Sequence, residues 1–293
     1  MAAQHSSTRG VIVSVLASAL FGAIFLLAGV LTSSAEVVFA WRVLVTLGCY
    51  ALVLLHPAPR RELALLGRRL RARWWMPLLA LLLTAIMGLQ LWLFMWAPMH
   101  GHGLDAALGY LLLPICLVLG GRFLLRAEVS RVQWLVVALA ALAVAVKLAA
   151  TPQLSWVTAA ICIPYVIYFV LRQRFGLDGP MVFGVECAVL AVPSILFLAF
   201  AEPGVLLPGE LTGLIVIGLA SAVAMTLYLA ASSLLSMPLF GLLSYVEPVL
   251  LVVVALVLGE RMLQADPVVY GILAVALTIL AIEGFRVARR RSR

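Results

Sequence analysis

Charged side chains are scarce in this sequence: Asp, Glu, Lys and Arg together supply 11% of 293 residues, where a soluble domain carries about a quarter. So few ionised groups cannot cover a water-facing globule, and the apolar runs recur with too little polar sequence between them to leave room for a separate soluble domain. Cysteine is also rare. Cys49, Cys116, Cys162 and Cys187 stand singly within apolar runs, which argues against a disulfide framework or thiolate metal site and for a packing role. No glycine-rich phosphate loop supports ATP hydrolysis, and no Ser, His and carboxylate set suggests hydrolysis inside a membrane. The expectation is a protein without cofactor and without enzymatic activity.

What is present is apolar: 65% of the residues, with a mean hydropathy of +1.19. Such a chain is dissolved by lipid. Runs of about 20 apolar residues, the length that crosses a bilayer as a helix, occur at Val11–Ser33, Val37–His56, Trp75–Ala97, Leu104–Leu125 and Val132–Ala150. Five more follow at Ser155–Leu171, Met181–Ala201, Leu211–Leu235, Met237–Leu258 and Pro267–Val287. The expected fold class is therefore an all-α polytopic membrane protein of about ten transmembrane helices. Arg9 before the first run and Ser33-Ser34-Ala35 after it resemble a signal peptide with its cleavage site. A signal core spans roughly 7–15 residues and this run exceeds about 20, so it is read as an uncleaved helix.

The formal charge is +8, yet the basic residues lie in short links and at the C-terminus, which is how topology is encoded, and no basic soluble domain exists to bind nucleic acid. With the N-terminus in the cytoplasm, the inside receives Arg60, Arg61, Arg68, Arg69, Arg71 and Arg73, then Arg122, Arg126, Arg131, Arg172 and Arg174, and finally the arginines of the C-terminal tail. Arg261 is assigned outside. That bias predicts both termini on the cytoplasmic side. The stretch Arg60–Arg73 interleaves Leu63, Leu65, Leu66 and Leu70 and reads either as an interfacial amphipathic helix or as a solvated loop.

The two halves of the chain resemble each other in order. Val38-Phe39-Ala40-Trp41-Arg42 matches Val182-Phe183-Gly184-Val185-Glu186, Gln90-Leu91-Trp92-Leu93 matches Thr226-Leu227-Tyr228-Leu229, Tyr110 to Pro114 falls opposite Ser244 to Pro248, and Trp134 to Lys147 opposite Tyr270 to Glu283. This divides the chain into repeats at 1–151 and 152–293, each with an odd number of helices, so the second enters the membrane inverted. In folds of that kind a solute site lies near the midplane between the repeats.

An ionisable side chain within the bilayer costs about 2.5–3.5 kcal/mol on insertion scales, so survivors face a cavity or a partner. Glu247 is expected near mid-membrane beside Pro248 and is the proton-coupling candidate; a static ion pair with Arg42 is the other reading. Arg42 and Glu186, equivalent in the repeats and opposite in charge, suit the two ends of a zwitterion, or else tie helices together. Tyr110, Tyr165, Tyr168, Tyr228 and Tyr245 with Trp92, Gln90, Thr226 and Ser244 form an aromatic, weakly polar set suited to an organic, zwitterionic or amphipathic solute. Pro114, Pro164 and Pro248 are expected helix kinks. Lys147 and Glu283 lie near surfaces and can snorkel. His100, His102 and Asp105 read as a solvated outer link rather than a metal site.

The motifs Arg42, Trp96-Ala97, Asp105-Ala106-Ala107-Leu108-Gly109-Tyr110 with Pro114, Gln133-Trp134, Tyr168 to Arg172, Glu186, Phe240-Gly241 through Tyr245, Pro248 and Gly259-Glu260 resemble the RarD branch of the EamA-type drug/metabolite transporter superfamily over nearly the whole chain. The resemblance implies ten helices in two inverted five-helix repeats, both termini inside, a bacterial inner-membrane location, and permease-type transport of small organic metabolites or drugs. Flipping of a lipid or lipid precursor, or a non-transporting role in membrane assembly, is the alternative function.

Overall fold

The computed structural model describes residues 2–125, 130–150, 155–177, 179–200, 208–234, 243 and 245–291, and these are almost wholly helical. The elements are α1 (Ala2–Val30), α2 (Ala35–Val53), α3 (Pro57–Arg71), α4 (Met76–Met99), α5 (Gly103–Leu125), α6 (Arg131–Ala150), α7 (Trp156–Phe175), α8 (Pro180–Phe200), α9 (Pro208–Leu234), α10 (Val246–Val257) and α11 (Asp266–Arg291). Helices are the spanning solution because every backbone N–H and C=O is satisfied within the segment, where lipid offers no partner.

Among the described residues, seven helices are long and apolar enough to cross a membrane, or eight if the bent α5 counts as one span. Ten spans, as expected from the sequence, require α10 and the apolar part of α11 to cross as well, and both are shorter: Val246–Val257 and Asp266–Ile279. In the run expected to begin at Met237, residues 235–242 and 244 lie outside the described residues, residue 243 is helical, and α10 starts at Val246. The surface is that of a lipid-solvated protein. Leu78, Leu81 and Leu82 of α4 and Val192, Ile195 and Leu196 of α8 each expose about half or more of their area, an apolar exterior that water would not tolerate.

Side chains hold several of the links among the described residues. Ser34 caps α2, its Oγ accepting from the Val37 N–H at 3.4 Å, and Gly176 ends α7 in the left-handed region at φ 63°, which costs glycine nothing. Arg172 holds the turn that follows, its Nε donating to the Leu177 carbonyl at 2.6 Å. The Glu210 carboxylate at the start of α9 accepts from the Thr32 N–H, Thr32 Oγ1 and Ser33 Oγ at 2.7, 2.5 and 2.6 Å, fixing the α1–α2 link.

Glu260, after α10, caps α5 from a distance: Oε1 accepts from Gly103 N–H at 2.5 Å and Oε2 from Leu104 N–H at 2.9 Å. Two orphan donors of a helix start are satisfied by an anion at the positive end of the dipole. Glu260→Ala is expected to cost about 2 kcal/mol, read as a lower thermal midpoint in detergent, with Glu260→Gln intermediate; an unchanged midpoint for the Ala variant would contradict the capping role.

The stretch at 60–73 is α3, an amphipathic helix rather than a loop. Leu66 is buried among α4, α7 and α8 residues, Arg69 Nη1 donates to the Gly176 carbonyl at 2.5 Å, and Glu62 Oε1 accepts from the Met181 N–H at 3.2 Å. Small residues bring spans together elsewhere: α2 meets α9 where Thr46 Oγ1 donates to the Gly218 carbonyl at 3.3 Å, and the Tyr50 ring lies against Gly184 of α8, the close approach that membrane helix packing uses. The four cysteines are free thiols, and Cys162 Sγ donates to the Gly109 carbonyl at 3.1 Å where α7 crosses α5.

Of the three prolines expected to kink helices, Pro114 lies at a 47° bend between Gly103–Leu113 and Ile115–Leu124. Pro164 sits inside an α7 that runs unbroken. Pro248 is the third residue of α10, and the residue four positions before it, Ser244, lies outside the described residues.

Candidate functional site at the centre of the bundle

Arg42 of α2 is 5% exposed, and its surroundings organise the middle of the molecule. Its Nε donates to Ser221 Oγ of α9 at 2.8 Å, its Nη1 reaches the Leu91 carbonyl of α4 at 3.5 Å, and its guanidinium lies 5.3 Å from the Phe94 ring centroid. Ser221 is held in turn by donating to the Ile217 carbonyl at 2.7 Å. One hydroxyl, one carbonyl and one ring face satisfy only part of a five-donor cation, which leaves capacity for an anionic group.

A file of rings runs through this region. Tyr228 of α9 meets Phe21 of α1 at 6.3 Å between centroids, Phe21 meets Phe94 at 6.3 Å, Phe94 meets Tyr110 of α5 at 5.9 Å, Tyr110 meets Tyr165 of α7 at 6.2 Å, and Tyr165 meets Tyr168 at 6.1 Å. These separations fall within the range of edge and offset aromatic contacts. Glu247 of α10 is half-buried and close enough to Arg42, Tyr110 and Tyr165 to share their electrostatic field. It forms no ion pair within 4.0 Å with Arg42 among the described residues, so the contact salt bridge is not the arrangement here. Glu247 lies in the first turn of its helix, where the macrodipole favours a carboxylate.

Gln90 of α4 is 1% exposed; its Nε2 donates to the Ala160 carbonyl at 2.8 Å, while its Oε1 is buried without a hydrogen-bond partner. An unsatisfied buried acceptor costs about 1–3 kcal/mol, which makes it a natural seat for a donor brought by a ligand.

Glu186 of α8 shares the electrostatic field of Tyr165 and has close partners of its own. Tyr168 donates its hydroxyl to Glu186 Oε2 at 2.9 Å, and Arg172 Nη1 lies 3.8 Å from the same oxygen. Arg172 Nη1 also donates to the Tyr168 hydroxyl, and its guanidinium sits 5.0 Å from that ring centroid. The buried carboxylate is thus claimed by Arg172, one of the arginines read as topogenic, because α7 brings that side chain back over α8. Trp92 has partners of its own: its Nε1 donates to Glu36 Oε1 at 3.1 Å, and its ring lies 5.7 Å from Trp96. Trp96 stacks on His100 and His102 at 4.3 and 5.3 Å, and His102 Nδ1 lies 2.8 Å from Asp105 Oδ2. Lys147, near the end of α6, pairs with Asp266 at the start of α11 at 2.5 Å.

Thr226 is exposed, its hydroxyl turned back onto the Ala222 carbonyl of its own helix at 2.8 Å. That back-bonding satisfies a hydroxyl toward lipid and explains why the residue need not face a cavity. Tyr245 packs with the α5, α6 and α11 cluster. Ser244 lies outside the described residues, as do the side chains of Pro114 and Glu283. Phe21, Phe94 and Ser221 belong to the centre but carried no signal in the sequence, since nothing distinguishes them there from other span residues.

No family model matches the chain. It is 33% identical over 283 residues to an uncharacterized transporter of Haemophilus influenzae, covering 94% of each chain. To the chloramphenicol-sensitive protein RarD of Pseudomonas aeruginosa it is 36% identical over 237 residues, 77% of each chain, and to the protein RarD of Escherichia coli 26% identical over 208 residues, 69% of this chain and 70% of that one. A protein of known crystal structure shares the fold with a TM-score of 0.60 at 18% identity, over 96% of this chain and 99% of the other. With relatives of this identity matched across most of both lengths, a multi-pass helical architecture and a polar centre buried inside it, the chain belongs to the RarD-like transporters of the drug/metabolite transporter superfamily.

Proposed function

We propose that this transporter moves a small zwitterionic or amphipathic organic solute by alternating access, between inverted repeats at 1–151 and 152–293 with both termini in the cytoplasm of a bacterial inner membrane. The observation that carries the reading is the meeting of Arg42, Phe94 and Tyr110 from the first repeat with Tyr165, Ser221 and Glu247 from the second. A cation, a carboxylate without a contact partner and a wall of rings offer one group for each end of a zwitterion and a surface for its body. Glu247 takes the cationic end in place of Glu186, which Arg172 and Tyr168 already occupy.

The helix contacts between the two halves support the repeat. Exchange of halves turns α1 into α7, α2 into α8, α4 into α9, α5 into α10 and α6 into α11. Under that exchange α1–α9 contact becomes α7–α4, α2–α9 becomes α8–α4, and α5–α7 becomes α10–α1, all of which occur, while α2–α8, α5–α10 and α6–α11 map onto themselves. Such reciprocity is what rocking of one half against the other requires.

Thermal unfolding of the purified protein against amino acids, their decarboxylated amines and their N-acetylated acids tests the solute class. The zwitterions are expected to raise the midpoint and the singly charged analogues to raise it much less, since only binding to the folded state stabilises. Reconstituted vesicles then read uptake of the best stabiliser. Uptake that an ionophore collapses supports the reading; labelled-lipid movement without solute uptake defeats it.

A further inference from the structure

We propose that the groove between the end of α2 and α3 is a binding site for one anionic phospholipid, held at the membrane surface by its phosphate and upper acyl chain. The groove has a volume of about 670 Å³. Its floor is apolar, formed by Leu54, Leu55 and Leu63, and its rim carries Arg60, Arg68 and Arg71. Leu55 leaves 69% of its area exposed, so the floor is uncovered by the protein itself.

Three features fix the occupant's chemistry. First, the charge is one-sided: α3 carries Arg60, Arg61, Arg68, Arg69 and Arg71 against Glu62, whose carboxylate already accepts from the Met181 N–H. Second, two of the three rim arginines are uncommitted. Arg60 donates through Nε to the Leu54 carbonyl, while Arg68 and Arg71 make no hydrogen bond or ion pair among the described residues, so guanidinium forks remain for phosphate oxygens. Third, α3 links two spanning helices, α2 and α4, which keeps it at the membrane surface, and Trp74 beside it is 84% exposed, as suits an interfacial anchor. Apolar floor and basic rim together match a lipid rather than a free ion, because inorganic phosphate has nothing to cover the leucines.

The groove is built rather than incidental. The opposite face of α3 is pinned by buried Leu66, by Arg69 on the Gly176 carbonyl and by Glu62 on the α8 start. A lipid seated there bridges α2 to α3 and, through α3, bears on the α7–α8 turn.

The test uses the full chain in neutral detergent, with phosphatidylglycerol or phosphatidylcholine added, read by retained lipid in native mass spectrometry and by thermal midpoint. Phosphatidylglycerol is expected to stay bound and raise the midpoint, phosphatidylcholine to do neither. The double variant Arg68→Gln/Arg71→Gln is expected to bind phosphatidylglycerol roughly 30-fold more weakly, from about fivefold for each arginine near a lipid surface. Arg68→Lys/Arg71→Lys retains most of the affinity, and Arg131→Gln, remote from the groove, retains all of it. Leu55→Glu, at an exposed position that folding does not depend on, places a carboxylate on the floor and should also expel the lipid. Wild-type binding by both Leu55→Glu and the double glutamine variant overturns the proposal, as does equal retention of phosphatidylcholine or equal stabilisation by inorganic phosphate. These readouts need no transported solute, so their failure is distinct from failure of the solute site.

Discussion

Replacement of Glu247 by Gln is expected to lower solute uptake into reconstituted vesicles under an imposed pH gradient by about tenfold or more, the effect of losing one charge interaction of ~1.4 kcal/mol or greater, while the protein remains folded in the membrane. The side chain keeps its shape and loses its charge. Glu247 is half-buried, shares a field with Arg42, Tyr110 and Tyr165, and has no ion-pair contact with Arg42. A carboxylate left without a close cation inside a membrane protein is costly unless it serves solute or proton. Exchange of unlabelled for labelled solute, with no gradient, separates the two roles. A proton role leaves exchange intact in Glu247→Gln and removes only the response to pH; a binding role removes both. Wild-type uptake with wild-type pH response takes Glu247 out of the mechanism.

The second large effect concerns stability. Glu186→Ala leaves Arg172 and Tyr168 buried without their acceptor, and Arg172→Ala leaves the Glu186 carboxylate buried beside one hydroxyl. Breaking a buried pair from one side costs about 3–5 kcal/mol, which corresponds to a fall of roughly 10 °C in thermal midpoint for a chain of this size. Tyr168→Phe removes one hydroxyl and is expected to cost about 1–2 kcal/mol. The double variant Glu186→Gln/Arg172→Met, which leaves no lone buried charge, should recover much of the loss. Were Glu186→Ala as stable as wild type yet unable to take up solute, Glu186 would return to the solute site and the ion-pair reading would fall.

Both predictions turn on partners that spacing along the chain does not reveal. The sequence marks Arg42, Glu186 and Glu247 because an ionised group in an apolar run is expensive wherever it sits. Its price does not say who shares it. Glu186 looked equivalent to Arg42 by repeat position, but the partner that claims it, Arg172, reads in the sequence as one more basic residue of a cytoplasmic link. Gln90 and Thr226 occupy matching positions too; one is buried with an orphan acceptor and the other faces outward onto its own helix. Glu260 carries a capping role for α5 although 155 or more residues separate it from Gly103 and Leu104, a relation only a folded chain creates. Similarly, the leucines and arginines of 60–73 show an amphipathic pattern, but the groove exists because α2 ends where it does beside them.

The amino-acid order alone therefore determined the solvent, the helical class and the costly residues, because hydropathy and charge act on each segment whatever its neighbours. Which carboxylate is paired, which is left open, which ring faces Arg42 and where a lipid can sit were decided by tertiary packing. Those outcomes depend on distances between helices that meet from opposite ends of the chain, and electrostatic and hydrogen-bond energies in a medium of low polarity change steeply over the few ångströms that packing sets.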